Sequence, residues 1–214
     1  MPKYQLVIFD LDGVLTETSE KHFQAWSFLF KKHFNIDLDP ELESKTKGVS
    51  RMDSMRILLK SYDLLNQFDS KTIEQMAHEK NTVYQTLIKD ISPKDLFDGV
   101  IELLDFLKES NIKLALGSAS KNGPFIIKQL GIGHYFDVVV DPSDLNGKPA
   151  PDIFLKASTA LNVAPNLCIA FEDAIAGIKA IKRAGMTAIG IGTEDLSLAD
   201  GTYHKIKDVP FDLF

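Results

Sequence analysis

One cysteine, one tryptophan and no long hydrophobic run mark this sequence of 214 residues. A lone thiol, Cys168, cannot close an internal disulfide, so the fold does not rest on a disulfide framework. Cys168 sits inside the apolar run 167–171, where a thiol packs as a small hydrophobe, and a buried core role is expected in preference to a nucleophilic one. That run is the longest unbroken apolar stretch, far short of the roughly 20 residues a membrane helix needs. Positive charge is also in short supply. Lys and Arg total 24 against 30 Asp and Glu, a formal charge of −6, which argues against a general nucleic-acid binder. Repeats, low-complexity tracts and disordered linkers are absent. The N-terminal apolar stretch is short and stops at Asp10, unlike a signal peptide, so a soluble cytoplasmic protein is expected. What remains is ordinary globular composition, 44% hydrophobic and 25% charged, long enough for one large domain or one domain carrying an insert.

Periodicity divides the chain. Residues 4–9 (YQLVIF) read as a buried strand that ends at Asp10, and Asp10-Leu11-Asp12-Gly13 supplies turn chemistry. From Ser19, a plausible N-cap, Phe23, Trp26, Phe30 and Phe34 recur at helical spacing. Asp39-Pro40 starts another segment, residues 52–62 look helical, and 70–90 form a long helix with Ile73, Met76, Ala77, Val83, Tyr84, Leu87 and Ile88 on one stripe. After Pro93 the grammar changes to alternation. Helices over 99–108, 124–130, 152–161 and 175–184 separate strands over 112–117, 137–140, 167–171 and 187–191. Such alternation implies right-handed βαβ units and a parallel sheet, which the first strand must join. The expected architecture is therefore an α/β core of residues 1–17 and 93–214 interrupted by an all-helical insert of 18–92, with hinges near 14–18 and 91–97.

In open parallel sheets, ligands gather beyond the carboxyl ends of the strands. Asp10 and Asp12 follow the first strand, Ser118-Ala119-Ser120-Lys121-Asn122 the second, and Glu172-Asp173 the fourth; Lys148 precedes the helix at 152. Each fragment has a bland reading. The D-x-D is a common turn, Glu172-Asp173 could cap the next helix, and Lys148 could be solvated surface. Their convergence on one sheet edge is harder to dismiss. Clustered carboxylates repel unless something neutralises them, and a hard divalent cation bound by oxygen does so.

The stretch Val7-Ile8-Phe9-Asp10-Leu11-Asp12-Gly13-Val14-Leu15-Thr16 resembles the first motif of the haloacid dehalogenase-like superfamily, and Ser118, Lys148 and Glu172-Asp173 stand where its other three motifs fall. The resemblance implies a Rossmann-like parallel-sheet core with a helical cap, Asp10 as phosphate-accepting nucleophile and Asp12 as general acid/base. Ser118 and Lys148 would assist at the transferring phosphate. Asp10, Asp173, Glu172 and the carbonyl of Asp12 would hold Mg2+.

Within the insert, His22 lies beside the apolar stripe, where a structural role is the simpler reading. Lys80 falls on the stripe of the 70–90 helix; it either snorkels to solvent or reaches a ligand at the cleft. Residues 47–51 (KGVSR) form a loop ahead of a helix, able to bind an anion through its N–H groups and Arg51. These segments, with Thr18, Trp26, Lys80-Asn81, 118–124 (SASKNGP), 148–154 (KPAPDIF) and 171–178 (FEDAIAGI), are similar to the β-phosphoglucomutase family. That family interconverts β-glucose 1-phosphate and glucose 6-phosphate through a glucose 1,6-bisphosphate, which also primes the enzyme. The resemblance implies that Arg51, Ser120, Lys121 and Asn122 hold the non-reacting phosphate. It implies too that His22, Gly48, Val49 and Lys80 contact sugar or assist closure, and that Thr18, Lys47, Ser50 and Ala119 complete the substrate-binding set. The expected partner is a small sugar phosphate, with neither nucleic acid nor membrane, and a monomer, since nothing marks an interface. A simple phosphatase of the same superfamily is the competing reading. The residues after Val209-Pro210-Phe211 are too few for a long closing helix, a departure from the family pattern.

Overall fold

The computed structural model describes residues 2–193 and 195–214. Strands β1 (Leu6–Phe9), β2 (Lys113–Leu116), β3 (Val138–Val139), β4 (Cys168–Glu172), β5 (Thr187–Ile191) and β6 (Gly201–Tyr203) pair in the order β3-β2-β1-β4-β5-β6, all parallel. The central strand β1 is wholly buried, as a parallel strand covered on both faces must be. Its side chains alternate between two cores. Val7 and Phe9 join the cluster that includes Leu103, Leu107 and Ile127; Leu6 and Ile8 join Ile153, Phe154 and Ile181 on the other face. Phe9 stacks on Phe171 of β4 at 5.2 Å, and Cys168 is buried there, as expected of a core thiol.

Between β1 and β2 the chain is helical until the sheet resumes. Helices α1 (Ser19–Phe34), α2 (Leu42–Thr46), α3 (Arg51–Ser61) and α4 (Ser70–Leu87) bury a core of their own, containing Trp26, Leu29, Phe30, Leu58, Leu59 and Met76. The two crossings run side by side. Thr16 pairs with Leu96 in an antiparallel bridge, the Phe97 N–H donates to the Leu15 carbonyl at 3.0 Å, and the Thr16 hydroxyl donates to the Asp95 carbonyl at 2.6 Å. The second half adds α5 (Val100–Glu109), α6 (Gly123–Gln129), α7 (Asp152–Ala160) and α8 (Ile175–Arg183) as the sheet's crossovers. No helix among the described residues is long and apolar enough to cross a membrane.

Three local departures from the sequence expectation have physical causes. Helix α2 is too short to display periodicity. Strand β6 has three residues, begins with glycine, and is held on one side by its ladder to β5. Ser19 is the first helical residue and not the N-cap; Thr18 occupies that position, but its hydroxyl is engaged elsewhere, and the Ser19 N–H donates to Glu17 at 2.6 Å. The chain closes with 3-10 turns over Ile206–Asp208 and Phe211–Leu213 and no long helix.

Because the helical insert has its own buried cluster, Leu58→Ala is expected to cost about 3 kcal/mol. In native-state hydrogen exchange, amides of residues 19–87 should lose protection while those of β1 and β4 keep theirs. Equal loss throughout would show that the two cores unfold as one unit.

Candidate active site

The carboxyl ends of β1 and β4 bring three carboxylates together. Asp10, Glu172 and Asp173 are buried, with oxygen atoms all within 4.8 Å of one another. The Asp10 N–H donates to the Phe171 carbonyl at 3.0 Å, which locks the two strand ends in register. Lys148, from the loop ahead of α7, inserts its ammonium between them, donating to Asp10 Oδ1 at 2.5 Å and Glu172 Oε2 at 2.7 Å. Burial alone would lower the Lys148 pKa; the two carboxylates more than offset it and hold the lysine charged above its ordinary range. From the helical insert, Lys47 reaches Asp173 Oδ2 at 2.7 Å.

Two glycines make room for this cluster. A Cβ on Gly13, whose φ is +76°, would fall 1.7 Å from Asp173 Oδ2, and one on Gly177 would fall 2.0 Å from Glu172 Cδ. Burial pushes Glu172 and Asp173 above the usual carboxylate range, against the pull of Lys148 and Lys47 respectively. Packing that leaves such acids short of positive charge fits a cation, and a buried all-oxygen donor set fits a hard divalent one.

Asp12 lies two residues beyond Asp10 and keeps part of its surface open to the cleft while densely ringed by protein. Burial first, then the neighbouring Asp10, raises its pKa to about 7 against the Thr18 hydrogen bond that favours the ionised form. A carboxyl poised there can both give and take a proton near neutrality. The Thr18 hydroxyl donates to Asp12 Oδ1 and meets the Tyr84 hydroxyl at 2.8 Å. The Lys80 ammonium lies 2.6 Å from His22 Nδ1 and sits over the Trp26 and Tyr84 rings at 4.7 and 4.8 Å. Burial, then Arg51, brings Lys80 down to about 7, and burial with the same cations keeps His22 well below its ordinary value, so the imidazole is the acceptor in this pair.

These groups face a cavity of about 1070 Å³ between the helical insert and the sheet edge. Asp10, Asp12, Ser118, Lys148 and Asp173 line it at the sheet; Ala119, Ser120 and Lys121 line it from the loop after β2. Hydroxyls shape that loop, with the Ser120 N–H donating to Ser118 Oγ at 3.1 Å and the Asn122 N–H to Ser120 Oγ at 3.3 Å. From the insert come His22, Lys47, Gly48, Val49, Ser50, Arg51 and Lys80. Ser50 caps α3 by accepting from the Asp53 N–H, which places Arg51 in the first turn. Gly48, at φ +72°, lies so close to the end of β4 that a Cβ would sit 2.9 Å from Ala174 Cβ.

Glu172 belongs to the carboxylate cluster and also accepts from Lys148. Two residues expected at the site stand behind the cavity wall, and of these Thr18 turns to Asp12 and Tyr84. The Asn122 side chain faces α4, donating to Asn81 Oδ1 at 3.0 Å and accepting from Gln85 Nε2 at 3.2 Å. The Asn122 side chain is thus engaged within the protein, and its backbone N–H closes the turn after Ser120. Tyr84 lies in the apolar stripe, and its hydroxyl joins the polar network behind the cavity wall at Thr18; its place four residues after Lys80 on the same helix face is the sequence signal for that second role.

Residues 4–185 match the haloacid dehalogenase-like hydrolase family. The chain is 42% identical to β-phosphoglucomutase of Bacillus subtilis, over 97% of this chain and 92% of that protein. It is 31% identical to a phosphorylated carbohydrates phosphatase of Thermotoga maritima, over 86% and 83% of the two chains. Among solved structures, β-phosphoglucomutase from Clostridium difficile superposes with a TM-score of 0.95 at 39% identity, covering 98% of this chain and 95% of that one.

Lys80 is buried at about 1% exposure, with a depressed pKa, so its charge costs folding energy. Below about pH 7 it is charged in both folded and unfolded chains and the whole cost is present. Between there and the ordinary lysine value the folded chain holds fewer protons than the unfolded one, and stability rises with pH. Lys80→Met is therefore expected to stabilise the protein, on the order of 2 kcal/mol near pH 6.5 and much less near pH 10. Urea unfolding at the two pH values checks this; a gain that does not shrink with pH would contradict it.

Proposed function

The chain belongs to the haloacid dehalogenase-like hydrolase family, and on that premise we propose that it catalyses the β-phosphoglucomutase reaction with Mg2+. In this reading it interconverts β-D-glucose 1-phosphate and D-glucose 6-phosphate through an aspartyl phosphate on Asp10 and a glucose 1,6-bisphosphate, which also serves as priming donor. The observation that carries it is a single cavity joining a transfer end, Asp10 with Asp12 and Lys148, to the cations Arg51, Lys80 and Lys121 from both insert and core. Hydrolysis of one phosphate requires only the first set. A bisphosphorylated intermediate that binds in two orientations requires both.

Asp10 and Asp173 would hold Mg2+ through their carboxylates, Asp12 through its carbonyl, with Glu172 beside them. Bound there, the ion supplies positive charge that offsets the carboxylates and the transferring phosphoryl group. Asp10 attacks phosphorus as the bond to the sugar oxygen breaks. Lys148 pins the nucleophile by Oδ1 and, with Ser118, faces the equatorial phosphoryl oxygens, where fixed donors stabilise the charge that spreads in the transition state. Asp12 gives its proton to the departing sugar oxygen and takes one from the hydroxyl that attacks in the return step. Arg51, Ser120 and Lys121 hold the phosphate that is not reacting, with Asn122 acting through the backbone turn it closes. Residues 18–92 act as a cap that excludes water from the aspartyl phosphate until sugar is bound. We take the enzyme to work as a monomer in the cytoplasm, where phosphorylated sugars are found and its one thiol stays reduced.

The deciding assay supplies β-glucose 1-phosphate, Mg2+ and trace bisphosphate, and measures glucose 6-phosphate and free phosphate separately. Glucose 6-phosphate formation that depends on the bisphosphate is expected. Free phosphate in its place would select the phosphatase reading, which the Thermotoga maritima relative represents. Arg51→Ala should lower isomerisation roughly 10–100-fold, the loss of one charge-assisted phosphate contact, and affect phosphate release less. Equal losses would remove Arg51 from the distal site.

A further inference from the structure

The structure holds a buried tyrosine that the reaction as described does not use. Tyr84 of α4 is fully buried, and its hydroxyl lies 2.8 Å from Thr18 Oγ1. Thr18 has one hydroxyl hydrogen and spends it on Asp12 Oδ1, so the Tyr84 hydroxyl must be the donor to Thr18. The order of donors is thus fixed as Tyr84 to Thr18 to Asp12. We propose that Tyr84 is a positioning residue for phosphoryl transfer, its hydroxyl orienting the Asp12 carboxylate through Thr18. The inference rests on the reading of Asp12 as the group that moves the proton.

Three further contacts hold the phenol in place. The His22 ring stacks on it with centroids 3.8 Å apart and planes at 28°, and Lys80 Nζ lies over the ring, 4.8 Å from its centroid. Lys80 and Tyr84 are four residues apart, one above the other on α4, and so move as one piece. The ring also packs in the core cluster with Val14, Leu15 and Ala25. A hydroxyl so confined has few alternative directions, and the carboxylate at the end of the relay inherits that restriction. Proton transfer is sensitive to such orientation, because small misplacement of a reacting group costs rate steeply.

A purely structural tyrosine would give the same packing, so the test must separate hydroxyl from ring. Tyr84→Phe keeps the ring and removes the relay. Its kcat is expected to fall about tenfold with KM within about twofold of wild type, while circular dichroism shows a folded chain. Thr18→Val cuts the same relay one link later. The double variant Thr18→Val/Tyr84→Phe should then be no slower than Thr18→Val alone, because the two changes act through one path. An unchanged kcat in Tyr84→Phe, a rise in KM alone, or losses that multiply in the double variant would each overturn the proposal. The rates are taken for whichever transfer the wild type performs. Phosphate release without isomerisation would defeat the mutase reading yet leave the Tyr84 comparison intact, and an undiminished rate in Asp12→Asn would defeat the role of Asp12 itself.

Discussion

Lys148 between Asp10 and Glu172 is the interaction on which the rest of the site depends. Carboxylates 4.8 Å apart repel by about 3 kcal/mol or more at an effective dielectric of 20, and here three of them are buried. One lysine, donating to two of them, makes the arrangement tolerable, and a second, Lys47, approaches the third. Burial still raises Glu172 and Asp173, which marks the cluster as short of positive charge. A site in that condition attracts a metal ion, and the ion's charge together with Lys148 would in turn offset the repulsion between the carboxylates and an incoming phosphoryl group.

The surrounding structure can be understood as what this cluster demands. The parallel sheet delivers Asp10 and Glu172 from adjacent strand ends in fixed register, Phe9 opposite Phe171. Gly13 and Gly177 stay without side chains because Asp173 and Glu172 occupy the space a Cβ would need. The helical insert closes the open side, bringing Gly48 against Ala174 and carrying Arg51, His22 and Lys80 to the cavity. In the proposed reaction, transfer chemistry would come from the sheet edge and substrate choice from an insert that buries a hydrophobic core of its own.

Much of this was legible in the sequence because the signals were long or tied to chemistry. The apolar stripes of α1 and α4, the alternation after Pro93 and the acids placed after strands led to the α/β sheet with its helical insert. Signals spanning three to five residues were not legible. The strand β6 depends on a ladder to β5, and α2 has too few turns to show a period. Side-chain direction was also beyond reach. The Asn122 side chain binds Asn81 and Gln85; Thr18 faces Asp12 and Tyr84; Tyr84 is core, as its place in the stripe predicts, while its hydroxyl joins the polar network. Such choices are settled by partners distant in sequence, which periodicity cannot encode.

Mutase and phosphatase chemistry at this site alike require phosphoryl transfer to Asp10. Intact-mass and peptide mass spectrometry after brief mixing with glucose 1,6-bisphosphate and Mg2+ is the most direct measurement. It should find one phosphoryl group on the peptide that contains Asp10, and none in Asp10→Asn together with lost turnover. A label on another residue, or turnover in Asp10→Asn equal to wild type, would contradict it.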